Sequence, residues 1–313
     1  MYWTRLLSNF TLTMDSINLM IGVPANLLAL YTFVLKLKKR AMPLDVLLLN
    51  LTISDLLILF FLPFHMKEAF EMRWTLSYYL CPLMGYFICT SMYNSTLLVT
   101  AISVERYLGV AFPIKYKHKR SPRNAIIAAV AFWLIAMVHC SFVYIVQKFE
   151  THHDNNSEPL IGNSCLATFN AKQLRIILPF RLELFVVLFC IPFIICSFCY
   201  IKFILILYQL PKFNSKKRSR AIGLAIVTFL VFIICFLPVN VSNLMSFIKG
   251  YIPRWRVYTV LPSTFKACLD PFIYYYSSSV LRKTLAQCIG GLVNKPRVFH
   301  FWRLFKCSLV KKK

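Results

Sequence analysis

From Cys81 to Val104 the chain runs two dozen residues without a charged side chain, CPLMGYFICTSMYNSTLLVTAISV, and then breaks into Glu105-Arg106-Tyr107. At about 1.5 Å of rise per residue the run makes about 36 Å of helix, enough to cross a hydrocarbon core of about 30 Å. In lipid a lone segment must satisfy its backbone internally, and a helix does so. Six further apolar runs, each of about 20 residues or more, lie at 14–35, 44–66, 124–147, 176–208, 221–248 and 256–277. With 81–108 they predict seven spans. The chain is 58% hydrophobic and 15% charged, with mean hydropathy +0.64; soluble domains run at about 45–50% apolar and about 25% charged. No polar stretch between the runs is long enough for a soluble domain. The predicted fold is an all-α membrane protein, a seven-transmembrane helix bundle.

A net charge of +25 over 313 residues would suit a nucleic-acid binder, but its distribution does not. Lys36, Lys38, Lys39 and Arg40 follow span one; Lys115, Lys117, Lys119, Arg120 and Arg123 follow span three; Lys212, Lys216, Lys217, Arg218 and Arg220 follow span five; and the tail is basic to Lys313. The alternate loops carry Glu68, Glu71, Glu150, Asp154 and Glu158. This alternation is the positive-inside pattern. It places the N-terminus outside and the tail inside, and leaves no nucleic-acid partner to expect. The first residues lack a basic n-region and a cleavage site, so span one is expected to act as its own insertion signal. Asn9 and Asn155 head N-x-Ser/Thr sequons on predicted outside segments. Residues 280–289 read as a short amphipathic helix on the membrane after span seven. The chain then divides into a helix bundle with its surface helix, 1–292, and a short basic tail, 293–313.

Eleven cysteines are present. Cys81 at the outer start of span three and Cys165 in the loop after span four both face an oxidising compartment, which makes a disulfide between them plausible. Seven others lie in spans as ordinary apolar packing; Cys288 and Cys307, beyond span seven, are sites for S-palmitoylation. No metal-spaced cluster, nucleophile motif or Gly-rich phosphate loop is visible, so no catalytic residue, metal or cofactor is expected. A transporter would usually show inverted repeats and broken midplane helices, and neither is legible here.

One motif per span, in order, then narrows the class. Span one has Asn26 in GVPANLLAL, span two Asp55 in LNLTISDLL, span three Glu105-Arg106-Tyr107, span four Trp133, span five Pro192 with Tyr200, span six Cys235-Phe236-Leu237-Pro238, and span seven Asp270-Pro271-Phe272-Ile273-Tyr274. Along nearly its whole length the chain resembles rhodopsin-like G-protein-coupled receptors. The stretches ISVERYLGVAFPIKY, LPFRLEL, RAIGLAIVTFL and PVNVSNL extend the likeness to the free fatty acid receptors, and within them to the short-chain pair. The resemblance implies a multi-pass plasma-membrane receptor that signals through heterotrimeric G proteins of the Gi or Gq type, with arrestin as a further partner. It implies that Arg106 is released from Glu105 on activation to meet the G protein, with Tyr107 beside it and with Tyr200 and Tyr274 in support. Read without the family, an arginine at a span end simply snorkels to lipid headgroups.

The resemblance also implies that Arg181 and Arg256 anchor a fatty-acid carboxylate, which two guanidiniums can grip bidentately. On the residues alone, Arg181 could pair with Glu183 and Arg256 could be a loop charge. His139 aligns with a family histidine and His65 with a basic residue, while Asn243 stands for a second histidine. Val239, Leu166 and Cys89 replace rings, which enlarges the pocket and favours chains longer than acetate or propionate. The alternative within this class is another small anionic or lipid ligand. Asp55, Asn26 and Asp270 resemble the family's sodium pocket, but Lys266, one turn before Asp270, stands where most relatives are small and polar. Its ammonium could fill the cation position; the other reading has it facing lipid, at a cost. It lies five residues before Pro271 rather than the seven of an opsin's Schiff-base lysine, which argues against photoreception.

Overall fold

The computed structural model describes residues 3–77, 79–119, 121–149, 165, 171–210, 215–253 and 255–277. Leu166, Asn155, the segment 280–289, Cys288, Cys307 and the tail lie outside the described residues. Within them the helices are α1 (Arg5–Lys39), α2 (Pro43–Glu71), α3 (Leu80–Ala111), a short α4 (Pro113–Lys119), α5 (Pro122–Phe149), α6 (Ala171–Phe185), α7 (Ile191–Gln209), α8 (Ser215–Lys249) and α9 (Arg256–Ser277). No strand occurs among the described residues. Six stretches are long and apolar enough to cross a membrane: α1, α2, α3, most of α5, α6 and α7 as one unit, and α8. The residues expected as the seventh span coincide with α9, whose apolar sequence is interrupted by the buried Lys266 and Asp270.

Two departures from the expected spans have physical causes. Helix α1 begins at Arg5 rather than at 14, because Thr4 caps it by accepting from the Leu7 N–H at 3.2 Å. Its first turns carry Ser8 and Thr11, buried against the bundle as are Asp15 and Asn18 beyond them, so hydropathy alone misses the turns before residue 14. The fifth span is not one regular helix. Pro192 has no N–H for the Leu188 carbonyl, and the chain widens into a π turn at Val186–Cys190, where the Ile191 N–H bonds to Val186 O. Helix α8 ends at Gly250, at φ 70°, a left-handed position that glycine reaches without a Cβ clash.

The helices close into a ring around α3, which packs on α2, α5, α7 and α8, while α9 returns against α1. Polar side chains stitch the ring internally. Asn94 donates to Ser54 Oγ at 2.7 Å, Trp133 Nε1 to Asn50 Oδ1 at 3.2 Å, and Asn18 and Asn26 to the Thr264 and Ala267 carbonyls at 2.8 and 2.7 Å. Such interhelical bonds contribute about 0.6–2 kcal/mol each. At Gly22 an added Cβ would come within 3.1 Å of Leu59, so the glycine sets how closely α1 approaches α2.

Candidate functional site

The outer ends of α3, α6, α8 and α9 bring the two expected arginines together. Arg181, on α6, is 8% exposed. Arg256 opens α9, and its Nη1 donates to Ser242 Oγ at 2.8 Å and Asn243 Oδ1 at 2.6 Å, both on α8. The Asn243 amide donates in turn to the Tyr93 hydroxyl on α3 at 3.2 Å. Arg181 lies within electrostatic reach of Arg256, and the Tyr93 hydroxyl and Cys89 thiol lie within reach of both. Cys89 packs against the cluster that holds Cys140 across the α3–α5 seam. Leu184, Leu188 and Ala136 pack beside Tyr93 and Cys140 as an apolar floor. Two like charges held close in a low-dielectric site repel, and an anion between them relieves the repulsion.

The other expected site residues fall into separate places. Glu183 faces His139, with Oε1 and Nε2 3.1 Å apart on the half-exposed α5–α6 face. His65 bonds through Nδ1 to Asp15 Oδ2 at 2.8 Å, with the Trp3 ring 6.2 Å away; it belongs to an α1–α2 pair. Val239 is buried in the main core. The Cys81–Cys165 disulfide is formed, with Cα atoms 5.6 Å apart. Glu68 Oε1 accepts from the Cys165 N–H at 2.8 Å and holds the bridged residue against α2. Asn9 is exposed in the first turns of α1.

At the opposite end Arg106 Nη1 donates to Thr228 Oγ1 on α8 at 3.3 Å. The buried Tyr200 side chain of α7 lies beside the same threonine. Tyr107 turns instead to Phe198, ring to ring at 5.8 Å. Tyr274 points up the bundle and reaches Asp55 Oδ2 at 3.2 Å. Midway, Lys266 Nζ donates to Asp55 Oδ1 at 2.7 Å and also to Asp270 Oδ2. Asp15, Ser242 and Thr228 were not singled out from the sequence, and Glu68, read there as a loop acid, is buried in α2. Asp15 could have been singled out, as a lone acid in an apolar run; Ser242 and Thr228 carry no such signal.

A ring of long apolar helices, with a buried arginine pair toward one end and Arg106 at the other, suits a membrane receptor. The chain matches the 7 transmembrane receptor (rhodopsin family) over residues 25–274. Human free fatty acid receptor 3 is 44% identical over 272 residues, 86% of this chain and 77% of the relative. Rat free fatty acid receptor 2 is 43% identical over 282 residues, 90% of this chain and 85% of the relative. Proteinase-activated receptor 1 of Xenopus laevis is more distant, at 32% over 286 residues, 89% of this chain and 66% of the relative. The chain belongs to the rhodopsin family of seven-transmembrane receptors and, within it, to the free fatty acid receptors. It is a multi-pass membrane receptor and not an enzyme.

Proposed function

We propose that the chain is a plasma-membrane receptor for free fatty acids that grips the ligand carboxylate between Arg181 and Arg256. The observation that carries this reading is the juxtaposition of two guanidiniums on different helices, with Arg256 oriented by a hydroxyl and an amide. Neutral partners orient a guanidinium without neutralising it, so its charge stays available to an anion. The acyl chain runs toward Tyr93, Leu184 and Leu188. Cys89, smaller than the ring that the resemblance leads one to expect, leaves room for short- to medium-chain acids. We assign α9 as the seventh span and residues 280–289 as a membrane-surface helix. The basic inner side suits a heterotrimeric G protein of the Gi or Gq type, and arrestin.

The test is a series of straight-chain acids from acetate to dodecanoate, with hydroxy acids and lysophospholipids alongside. Responses are read as cAMP and calcium in cells expressing wild type, Arg181→Ala or Arg256→Ala at matched surface levels. Either substitution is expected to abolish the response to acids. Retention of full potency by both variants would sink the carboxylate reading, and peak potency at acetate or propionate would sink the chain-length reading alone.

A further inference from the structure

Three ionisable side chains meet halfway down the bundle. Asp55 on α2 and Lys266 and Asp270 on α9 are 0, 1 and 3% exposed. The ammonium bonds one oxygen of each carboxylate, and the Tyr274 hydroxyl reaches Asp55 Oδ2 at 3.2 Å and Asp270 Oδ2 at 3.4 Å. Asn26 fastens α1 to the same stretch through the Ala267 carbonyl at 2.7 Å. Alongside lies a cavity of about 20 Å³, lined by Lys266, Asp270 and Tyr274 and also by Arg106 and Thr228; it has room for one water.

Two carboxylates aimed at one buried point need a positive charge there. A helix bundle can draw that charge from solution as a small monovalent cation, or carry it on its own chain. We propose that Lys266 is the permanent counter-cation of Asp55 and Asp270 and closes the mid-bundle site to sodium. The ammonium already holds one oxygen of each acid, and a second cation on those oxygens would meet it at contact distance in a low dielectric. A tethered cation cannot dissociate, so the bridge parts only when α9 moves against α2. The bridge shares a cavity wall with Arg106, so that movement reaches the inner latch. The inference stands apart from the ligand assigned above, because it concerns the empty bundle.

The experiment compares purified full-length receptor in sodium chloride and in choline chloride at equal ionic strength, about 0.15 M, by thermal unfolding. Wild type and Lys266→Arg, which keeps a fixed cation, are expected to unfold at the same temperature in both salts. Lys266→Asn is expected to unfold at a lower temperature in choline and to gain roughly 3 °C or more in sodium, because bare carboxylates then bind the ion. A sodium-dependent rise in wild type would overturn the proposal, and so would a Lys266→Asn variant indifferent to sodium. If that variant fails to fold, the wild-type and Lys266→Arg arms still decide the matter.

Discussion

Arg256 owes its direction to two short side chains on the neighbouring helix. Ser242 and Asn243 hold one nitrogen of its guanidinium at 2.8 and 2.6 Å, and Asn243 is itself fixed by Tyr93. A hydrogen bond to a charged group contributes about 1.5–3 kcal/mol. Asn243→Ala is therefore expected to raise the half-maximal concentration of a fatty-acid agonist roughly 10-fold or more, with surface expression unchanged, in a concentration–response assay. Asn243→Asp gives the opposite test: a carboxylate in that place would neutralise Arg256 and abolish the response rather than weaken it. At the inner end Thr228 plays the corresponding part for Arg106. Its hydroxyl ties α3 to α8, so Thr228→Ala removes one bond from the resting arrangement, worth about 1 kcal/mol. Ligand-free signalling is expected to rise several-fold relative to wild type at matched expression; an unchanged or lower basal level would show that the bond does not restrain the latch.

At the scale of elements, what hydropathy could not report is where polar groups replace lipid as the helix's partner. Runs of apolar residues located the spans, and α9 coincides with its expected bounds, because Arg256 starts it. The turns of α1 before residue 14 escaped notice because their polar Ser8 and Thr11 face protein. The π turn escaped too: Pro192 announces a missing donor, but whether a helix kinks or widens depends on its neighbours. The arginine pair was legible through the family resemblance, but not the way it is held. Their spacing in sequence says nothing about the Ser242–Asn243 shelf that aims one of them, and His65 shows the converse, since Asp15 takes it into an α1–α2 contact. The outer loop carries a testable element of its own. The Cys81–Cys165 bond closes a loop across a sequence separation of 84, and losing a native disulfide costs about 2–5 kcal/mol. Cys165→Ser is expected to unfold at a clearly lower temperature than wild type. Glu68→Gln, which swaps a charged acceptor of the Cys165 N–H for a neutral one, is expected to lower it by less.

For the whole molecule, orientation follows from where the charges are rather than from how many there are. Clusters of lysine and arginine close spans one, three and five, and the loops between the other spans hold most of the loop acids. Short basic loops resist translocation and stay on the cytoplasmic side. The disulfide sits at the opposite end of α3 from Arg106, and disulfides form where thiols oxidise. Insertion and redox chemistry lead to the same expectation, the arginine pair outside and Arg106 inside. Seven spans put the two ends of the chain on opposite sides, whereas six would leave them on the same side. An epitope fused to the N-terminus is therefore expected to bind antibody on intact cells, while one at the C-terminus should bind only after permeabilisation. Treatment with an N-glycosidase should increase mobility on a gel, and the shift should disappear when Asn9 and Asn155 are both changed to Gln. Equal labelling of both ends on intact cells would mean that α9 fails to span.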